Sequence, residues 1–258
     1  MSTEGVWISP TGRKSFIPLE NNPEVFTSLV HDLGVSPALG FYDVYSLDEP
    51  SLLSHIPRPV YALIFIAPSE MQTAVRRQDG LPKSVANGGL TYDQSGPDEP
   101  VVWFLQTIGN ACGLYALVHS VANGDARQFV SKDSVLARLI ETAVPLRPHE
   151  RAKGFYDNQQ LEEAHMRAAR LGSSRAPPAD VHAGHHFISF VKGTDGHLWE
   201  LEGTADGPID RGPLADGDDM LSEGALEQGV KRFIKMGEGN VNFSIVALAK
   251  NDRHASGH

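Results

Sequence analysis

The sequence predicts a layered α/β domain, and three observations carry that expectation. Val25, Phe26, Leu29, Val30 and Leu33 recur with the period of a helix that buries one face. The apolar run at 60–66 is continuous and short, as in a strand covered on both sides. Two further apolar runs, at 186–191 and 197–201, flank the turn signal Thr194-Asp195-Gly196, which predicts a β-hairpin. No internal repeat and no shift in composition divides the chain, so one domain over residues 1–258 is expected.

In chain order, Asn22 followed by Pro23 is a helix-start signal, and Gly34 closes the helix that follows. The run at 41–45 reads as a strand, as does 60–66. Between about 76 and 100 the chain turns polar and rich in Gly and Pro, which predicts a surface loop. The run at 101–105 reads as another strand, leading through Gln106 to Asn110 and into a helix with Leu114, Leu117, Val118 and Val121 on its apolar positions. That helix should stop at Asn123-Gly124. Helical patterns recur at about 131–142 and 158–171, within a long, only partly regular stretch from 145 to 184 that is broken at 172–178. After the hairpin, a helix is expected over about 222–236 and a last strand over 243–248.

Composition narrows the function. The chain of 258 residues is 41% apolar and 21% charged, a globular balance. Its 22 Lys and Arg against 32 Asp and Glu give a formal charge of −10, which disfavours nucleic acid and anionic membrane surfaces as partners. No apolar run approaches the roughly 20 residues of a membrane span, and the N-terminus lacks the pattern of an export signal, so a soluble, unexported protein is expected. The lone Cys112 excludes an intrachain disulfide, suits a reducing compartment, and leaves any thiol chemistry to one residue.

If Asn110 caps the helix, Cys112 lies in its first turn, where free N–H groups and the helix dipole favour a thiolate. Alone, the residue also fits a small buried hydrophobe. A nucleophilic cysteine needs a base, and the hairpin narrows the choice among eleven histidines. If Val191 pairs with His197, His186 stands directly opposite Glu202, with Cβ atoms about 4.5–5.5 Å apart. A carboxylate there could orient the imidazole. A slip of one residue would turn Glu202 to the other face. His182, His185 and His186 also form a His-rich tract, but no cysteine or His-Glu-x-x-His helix with zinc-ligand spacing accompanies it. Gln106, at the turn into the helix, is a candidate donor to an oxyanion, though alone it also reads as an ordinary turn residue.

Gln106-Thr-Ile-Gly-Asn-Ala-Cys112-Gly, His186-Phe-Ile-Ser-Phe and Asp195-Gly-His-Leu-Trp-Glu-Leu-Glu-Gly203, taken together, resemble the ubiquitin C-terminal hydrolase family of cysteine deubiquitinases. Ile17-Pro-Leu-Glu-Asn-Asn-Pro-Glu-Val-Phe26, Phe41-Tyr-Asp-Val-Tyr45 and Ile56-Pro-Arg-Pro-Val60 extend the likeness, in the same order, over nearly the whole chain. The resemblance implies a papain-like fold: a central, mostly antiparallel sheet flanked by helices, a knotted backbone, and a crossover loop over the active site, here within about 155–184. It implies Cys112 as nucleophile, His186 as general base, Glu202 as the orienting carboxylate and Gln106 as the oxyanion-hole side chain. The family has aspartate where this chain has Glu202, and here the connection from His186 is about one residue longer.

The resemblance further implies hydrolysis after the C-terminal glycine of ubiquitin through a thioester, without cofactor or metal, favouring small or flexible leaving groups. Ubiquitin or a ubiquitin-like modifier would be the partner, and Glu20, Glu24 and Asp43 are offered as contacts for its basic tail. As ordinary residues, these three also read as a solvated helix start and strand edge. A monomer in the cytoplasm, or also the nucleus, acting in ubiquitin-dependent protein catabolism, is expected. The alternatives are a ubiquitin-binding adaptor with impaired catalysis and a hydrolase of a ubiquitin-like modifier.

Overall fold

The computed structural model describes residues 3–81, 89–172, 179–180 and 184–251. Its centre is a six-stranded sheet in which every paired neighbour is antiparallel, with strand order β3-β8-β4-β5-β6-β7. The strands are β3 (Leu39–Asp43), β4 (Val60–Pro68), β5 (His185–Lys192), β6 (His197–Leu201), β7 (Ile209–Pro213) and β8 (Ser244–Lys250). A separate two-stranded ribbon joins β1 (Trp7–Ile8) to β2 (Lys14–Ser15), and the short helix α2 (Pro50–Leu53) lies between β3 and β4 in the chain.

The continuous apolar runs in β4, β5 and β8 follow from burial on both faces. On one face Ala62, Ile64, Val191, Val246 and Leu248 meet α1 (Pro23–Asp32), α4 (Cys112–Ala122), α5 (Val135–Ala143), α6 (Pro148–Tyr156) and α7 (Gln159–Ala168) in one apolar core. On the other, Leu63, Phe65, Ile188, Phe190, Ile245 and Ala247 meet α3 (Ser69–Gln78), α8 (Glu223–Gln228) and α9 (Val230–Met236). The predicted α/β sandwich, with helices on both faces of the sheet, is therefore what the chain forms.

The first helix matches its sequence signals closely. Asn22 caps α1 by accepting from the backbone N–H of Glu24 and Val25, Pro23 opens it, and Gly34 leaves it with φ 101°. Elsewhere the structure corrects the expectation. The polar region after 76 begins inside α3, an element the sequence pattern does not announce because Met71 and Val75 are its only strongly apolar buried positions. Residues 82–88 lie outside the described residues, but Tyr92 and Glu99 beyond them are buried rather than on a surface loop. There the Tyr92 hydroxyl and the Arg151 guanidinium both bond the Glu99 carboxylate.

The run at 101–105 is buried, yet it is no strand of the sheet. Side chains of α4 and of the residue that ends it bond its backbone at Val102 and Phe104 instead, and Arg151 of α6 donates to the Trp103 carbonyl. Val102 donates to Asn123 Oδ1 at 2.6 Å and accepts from Asn123 Nδ2 at 3.1 Å, and Phe104 N–H donates to His119 Nε2 at 3.0 Å. The helix expected over 222–236 is two helices, α8 and α9, broken at Gly229, where an added Cβ would stand 2.8 Å from the Ala225 carbonyl.

Candidate active site

Cys112 is the first residue of α4, a helix buried along its whole length and packed against β4 and β5. The predicted cap is corrected: Asn110 lies in the left-handed region at φ 56°, and Ala111, which has no capping side chain, precedes the helix. The Asn110 side chain donates instead to the carbonyl of Ala179 at 3.0 Å, tying the turn before the cysteine to the segment expected to cross the site. Without a capping side chain, first-turn N–H groups are left to face the sulfur. Burial pushes the thiol up to about 11; the N–H of Phe187 pulls the other way, the charge of Glu202 raises it further, and the N–H groups of Gly113 and Cys112 itself lower it. A thiol raised in this way holds its proton at neutral pH, so a base must take that proton for the sulfur to attack.

Gln106 is held in the turn before α4. Its backbone N–H donates to the Gly203 carbonyl at 2.7 Å, and its side-chain amide donates to the Ile108 carbonyl at 2.9 Å. That bond fixes which end of the amide is nitrogen, and Nε2 has a second N–H to offer. Its Oε1 is buried and makes no hydrogen bond among the described residues.

The hairpin forms, but its register differs from the expected one. Val191 stands opposite Trp199, not His197, and the loop is Thr194-Asp195-Gly196, closed by a Gly193 to His197 bond of 2.8 Å. Gly196 takes φ 79°, the left-handed residue that lets so short a loop join two strands. The correction is a slip of two residues, so the face is conserved while the row is not. Continued past the last pair, Ser189 with Leu201, this register leaves Glu202 on a diagonal to His186 rather than directly opposite.

Glu202 still reaches the histidine. Its Oε1 lies 3.7 Å from His186 Nδ1, close enough for electrostatic attraction and too far for a hydrogen bond. The carboxylate itself is firmly held: Oε2 accepts from Gln72 Nε2 at 2.9 Å, and Oε1 accepts from Thr204 N–H at 2.9 Å and Thr204 Oγ1 at 2.6 Å. Burial would raise its proton affinity, but the facing His186 imidazole and the Thr204 donors outweigh this and hold the carboxyl below its ordinary range. Trp103 adds a bond of 3.1 Å from its indole N–H to the Glu202 main-chain carbonyl. The two other acids of the hairpin are engaged elsewhere, Glu200 with Arg211 and Asp195 with the Trp199 indole.

A cavity of about 560 Å³ beside this pair is lined by Gln72, Arg76, His186, Glu202 and Thr204. Gln72 and Thr204 are site residues that sequence reasoning missed, and only a prediction of α3 could have brought Gln72 forward. Glu24 is exposed in the first turn of α1, Glu20 lies beside Gly172, and Asp43 ends β3, where it accepts from the Tyr45 hydroxyl at 3.1 Å. His182 and residues 173–178 of the expected crossover loop lie outside the described residues. Among the described residues, no three His, Cys, Asp or Glu side chains gather to hold a metal, and no helix is long and apolar enough to cross a membrane.

An imidazole backed by a fixed carboxylate, one residue along the strand from an amide that faces a buried thiol, is how cysteine peptidases prepare a nucleophile. The comparisons with known proteins make the class specific. Residues 16–235 match the family model described as ubiquitin carboxyl-terminal hydrolase, family 1, and the chain belongs to that family of ubiquitinyl hydrolases. It is 35% identical to a ubiquitin carboxyl-terminal hydrolase of Aplysia californica over 219 residues, covering 85% of this chain and 94% of the relative. It is 34% identical to ubiquitin carboxyl-terminal hydrolase isozyme L1 of Monodelphis domestica over 235 residues, 90% of this chain and 97% of that one. Among solved structures, UCH37 of Trichinella spiralis bound to ubiquitin vinyl methyl ester shares the fold, with a TM-score of 0.66 and 19% identity over 93% of this chain and 84% of that one.

Proposed function

We propose that the chain is a cysteine deubiquitinase that cleaves after the C-terminal glycine of ubiquitin, with Cys112 as nucleophile, His186 as base, Glu202 as the orienting acid and Gln106 as oxyanion donor. The observation that carries this reading is the clamped Glu202 carboxylate 3.7 Å from His186, in a chain of this family. His186 takes the thiol proton as sulfur attacks the glycine carbonyl carbon. The carbonyl electrons move to oxygen, where the second Gln106 N–H meets the developing charge. Collapse expels the leaving group, which receives the proton from His186, and leaves a thioester. Water, activated by the same imidazole, then hydrolyses the thioester and frees the ubiquitin carboxylate and the thiol.

The tail of ubiquitin is basic and the chain carries −10, so charge favours the encounter. Glu20, Glu24 and Asp43 are the acids proposed to meet that tail. A crossover segment, tied to the cysteine turn through Asn110 and Ala179, would favour small or flexible leaving groups. The lone cysteine suits the reducing cytosol or nucleus.

The absence of a hydrogen bond between His186 and Glu202 favours the second reading, a ubiquitin-binding adaptor with an impaired triad. One experiment separates them: reaction with ubiquitin bearing a thiol-reactive group at its C-terminus, followed by mass spectrometry. A single ubiquitin added at Cys112, and loss of turnover on ubiquitin amide in Cys112→Ala, are expected. Binding without an adduct would establish the adaptor instead.

A further inference from the structure

We propose that Gln72 is a positioning residue for catalysis: its side-chain amide fixes the Glu202 carboxylate so that this longer acid can serve His186 from a diagonal position. The inference rests on the reading of Cys112, His186 and Glu202 given above. Diagonal neighbours on a sheet have Cα atoms about 7–8 Å apart, within reach of a long side chain and beyond a short one. Length brings an additional rotatable bond, and an acid that wanders among rotamers cannot hold an imidazole in one orientation.

Three donors remove that freedom, and they are not equivalent. Thr204 lies two residues from Glu202 in the same loop, so both of its bonds move with the acid they hold. Gln72 comes from α3 and is 8% exposed, with its Nε2 2.9 Å from Glu202 Oε2. The helix starts at Ser69, directly after β4, and β4 pairs with β5 so that Ala67 stands opposite His186. Met71 and Val75 root the helix in the core between α3, α9 and the sheet. Gln72 thus refers Glu202 to the same rigid frame that carries His186. The assignment of nitrogen to that end of the amide is forced, because an amide oxygen against a carboxylate would repel it.

A neutral donor also suits the role, since it stabilises the carboxylate without cancelling its charge toward the imidazole. The charged and titratable groups around Glu202 are Glu200 on β6, Asp206 in the loop beyond it, Arg76 on α3 paired with Asp206 at 3.6 Å, His119 and Cys112 on α4, and His186 itself. Burial keeps His119 neutral, pushed down to about 3. Gln72 is the neutral donor on Glu202 that comes from outside its own loop.

The test is Gln72→Met, which keeps length and packing and removes the donor. Hydrolysis of fluorogenic ubiquitin amide should lose about tenfold in kcat with KM unchanged, the effect of one hydrogen bond to a charged group. The acid limb of kcat/KM should move to higher pH, because a carboxylate that loses a donor holds its proton more tightly. In a Glu202→Gln background the same substitution should have no further effect, whereas a residue with a merely structural role would cost the same in both. Gln72→Glu, of native size, should also raise the acid limb through repulsion of Glu202, and it supplies the measurement if Gln72→Met melts below assay temperature. A native kcat and pH profile in either folded variant, or equal losses in both backgrounds, would overturn the proposal while leaving the site reading intact. Full activity in Cys112→Ala would overturn the site reading itself.

Discussion

His186 Nδ1 and Glu202 Oε1 stand 3.7 Å apart, and the Nδ1 makes no hydrogen bond among the described residues. The acid is already held by three donors from Gln72 and Thr204, with acceptor capacity left for the imidazole, so the gap closes more readily by movement of the histidine, which is partly exposed at the start of β5, than of the buried carboxylate. Glu202→Asp should therefore lower turnover rather than raise it, because the shorter acid leaves the diagonal unbridged and abandons its donors. Glu202→Gln should remove most activity with the fold preserved, since charge and tautomer control are both lost. Steady-state kinetics on ubiquitin amide, with thermal melts as control, checks both; a gain in Glu202→Asp would mean that the glutamate is a handicap.

What the sequence made legible was whatever rested on local pattern. Asn22-Pro23 fixed the start of α1, and the apolar run at 60–66 announced a strand buried on both faces. The run at 101–105 departs from the expected strand because its apolar residues are buried as a strand's would be, while its backbone bonds to Asn123 and His119, a tertiary arrangement that leaves no periodic trace. The register of the hairpin depended on one left-handed residue, Gly196, that shortened the loop. Gln72 is invisible for a different reason: a neutral side chain on a helix with few apolar residues has no pattern until the fold sets it against Glu202.

Gln106 offers a second prediction. Its amide already bonds the Ile108 carbonyl, so it is oriented before any substrate arrives. Gln106→Ala should lower kcat by about 10²–10³ with ubiquitin affinity largely kept, because the hydrogen bond strengthens as the oxyanion forms. Titration of the variant with ubiquitin separates the two effects; an equal loss in binding would make Gln106 a structural residue.

A third prediction concerns stability. The Arg151 side chain is fully buried, pairs with Glu99, and donates to the carbonyls of Ala143 and Val144, joining α6 to the end of α5 and to the segment that leads toward Gln106. Arg151→Leu would leave the Glu99 carboxylate buried with the Tyr92 hydroxyl alone. A cost of about 3–5 kcal/mol follows for such an orphaned charge, or roughly 10 °C in Tm for a chain of this size. Calorimetry checks it, and a variant that melts as the native protein does would show that the pair contributes nothing.

The state of the Cys112 thiol gives the last prediction. With the thiol pushed up to about 11 by burial, the thiolate is a small fraction at neutral pH, and the free protein's alkylation by iodoacetamide should speed up about tenfold per pH unit between about 7 and 10. A thiolate already paired with a protonated His186 would instead give a rate nearly independent of pH over that range. Glu202→Gln decides between the two by sign. The negative charge of Glu202 raises the thiol's proton affinity, so its removal should lower that affinity, enlarge the thiolate fraction and speed alkylation at a given pH, even as turnover falls. In a preformed ion pair the same substitution would withdraw support from the imidazolium and slow alkylation. Faster alkylation with slower turnover is the expected outcome, measured by mass spectrometry of the Cys112 peptide, and slower alkylation would mean that the proton leaves the sulfur before substrate binds.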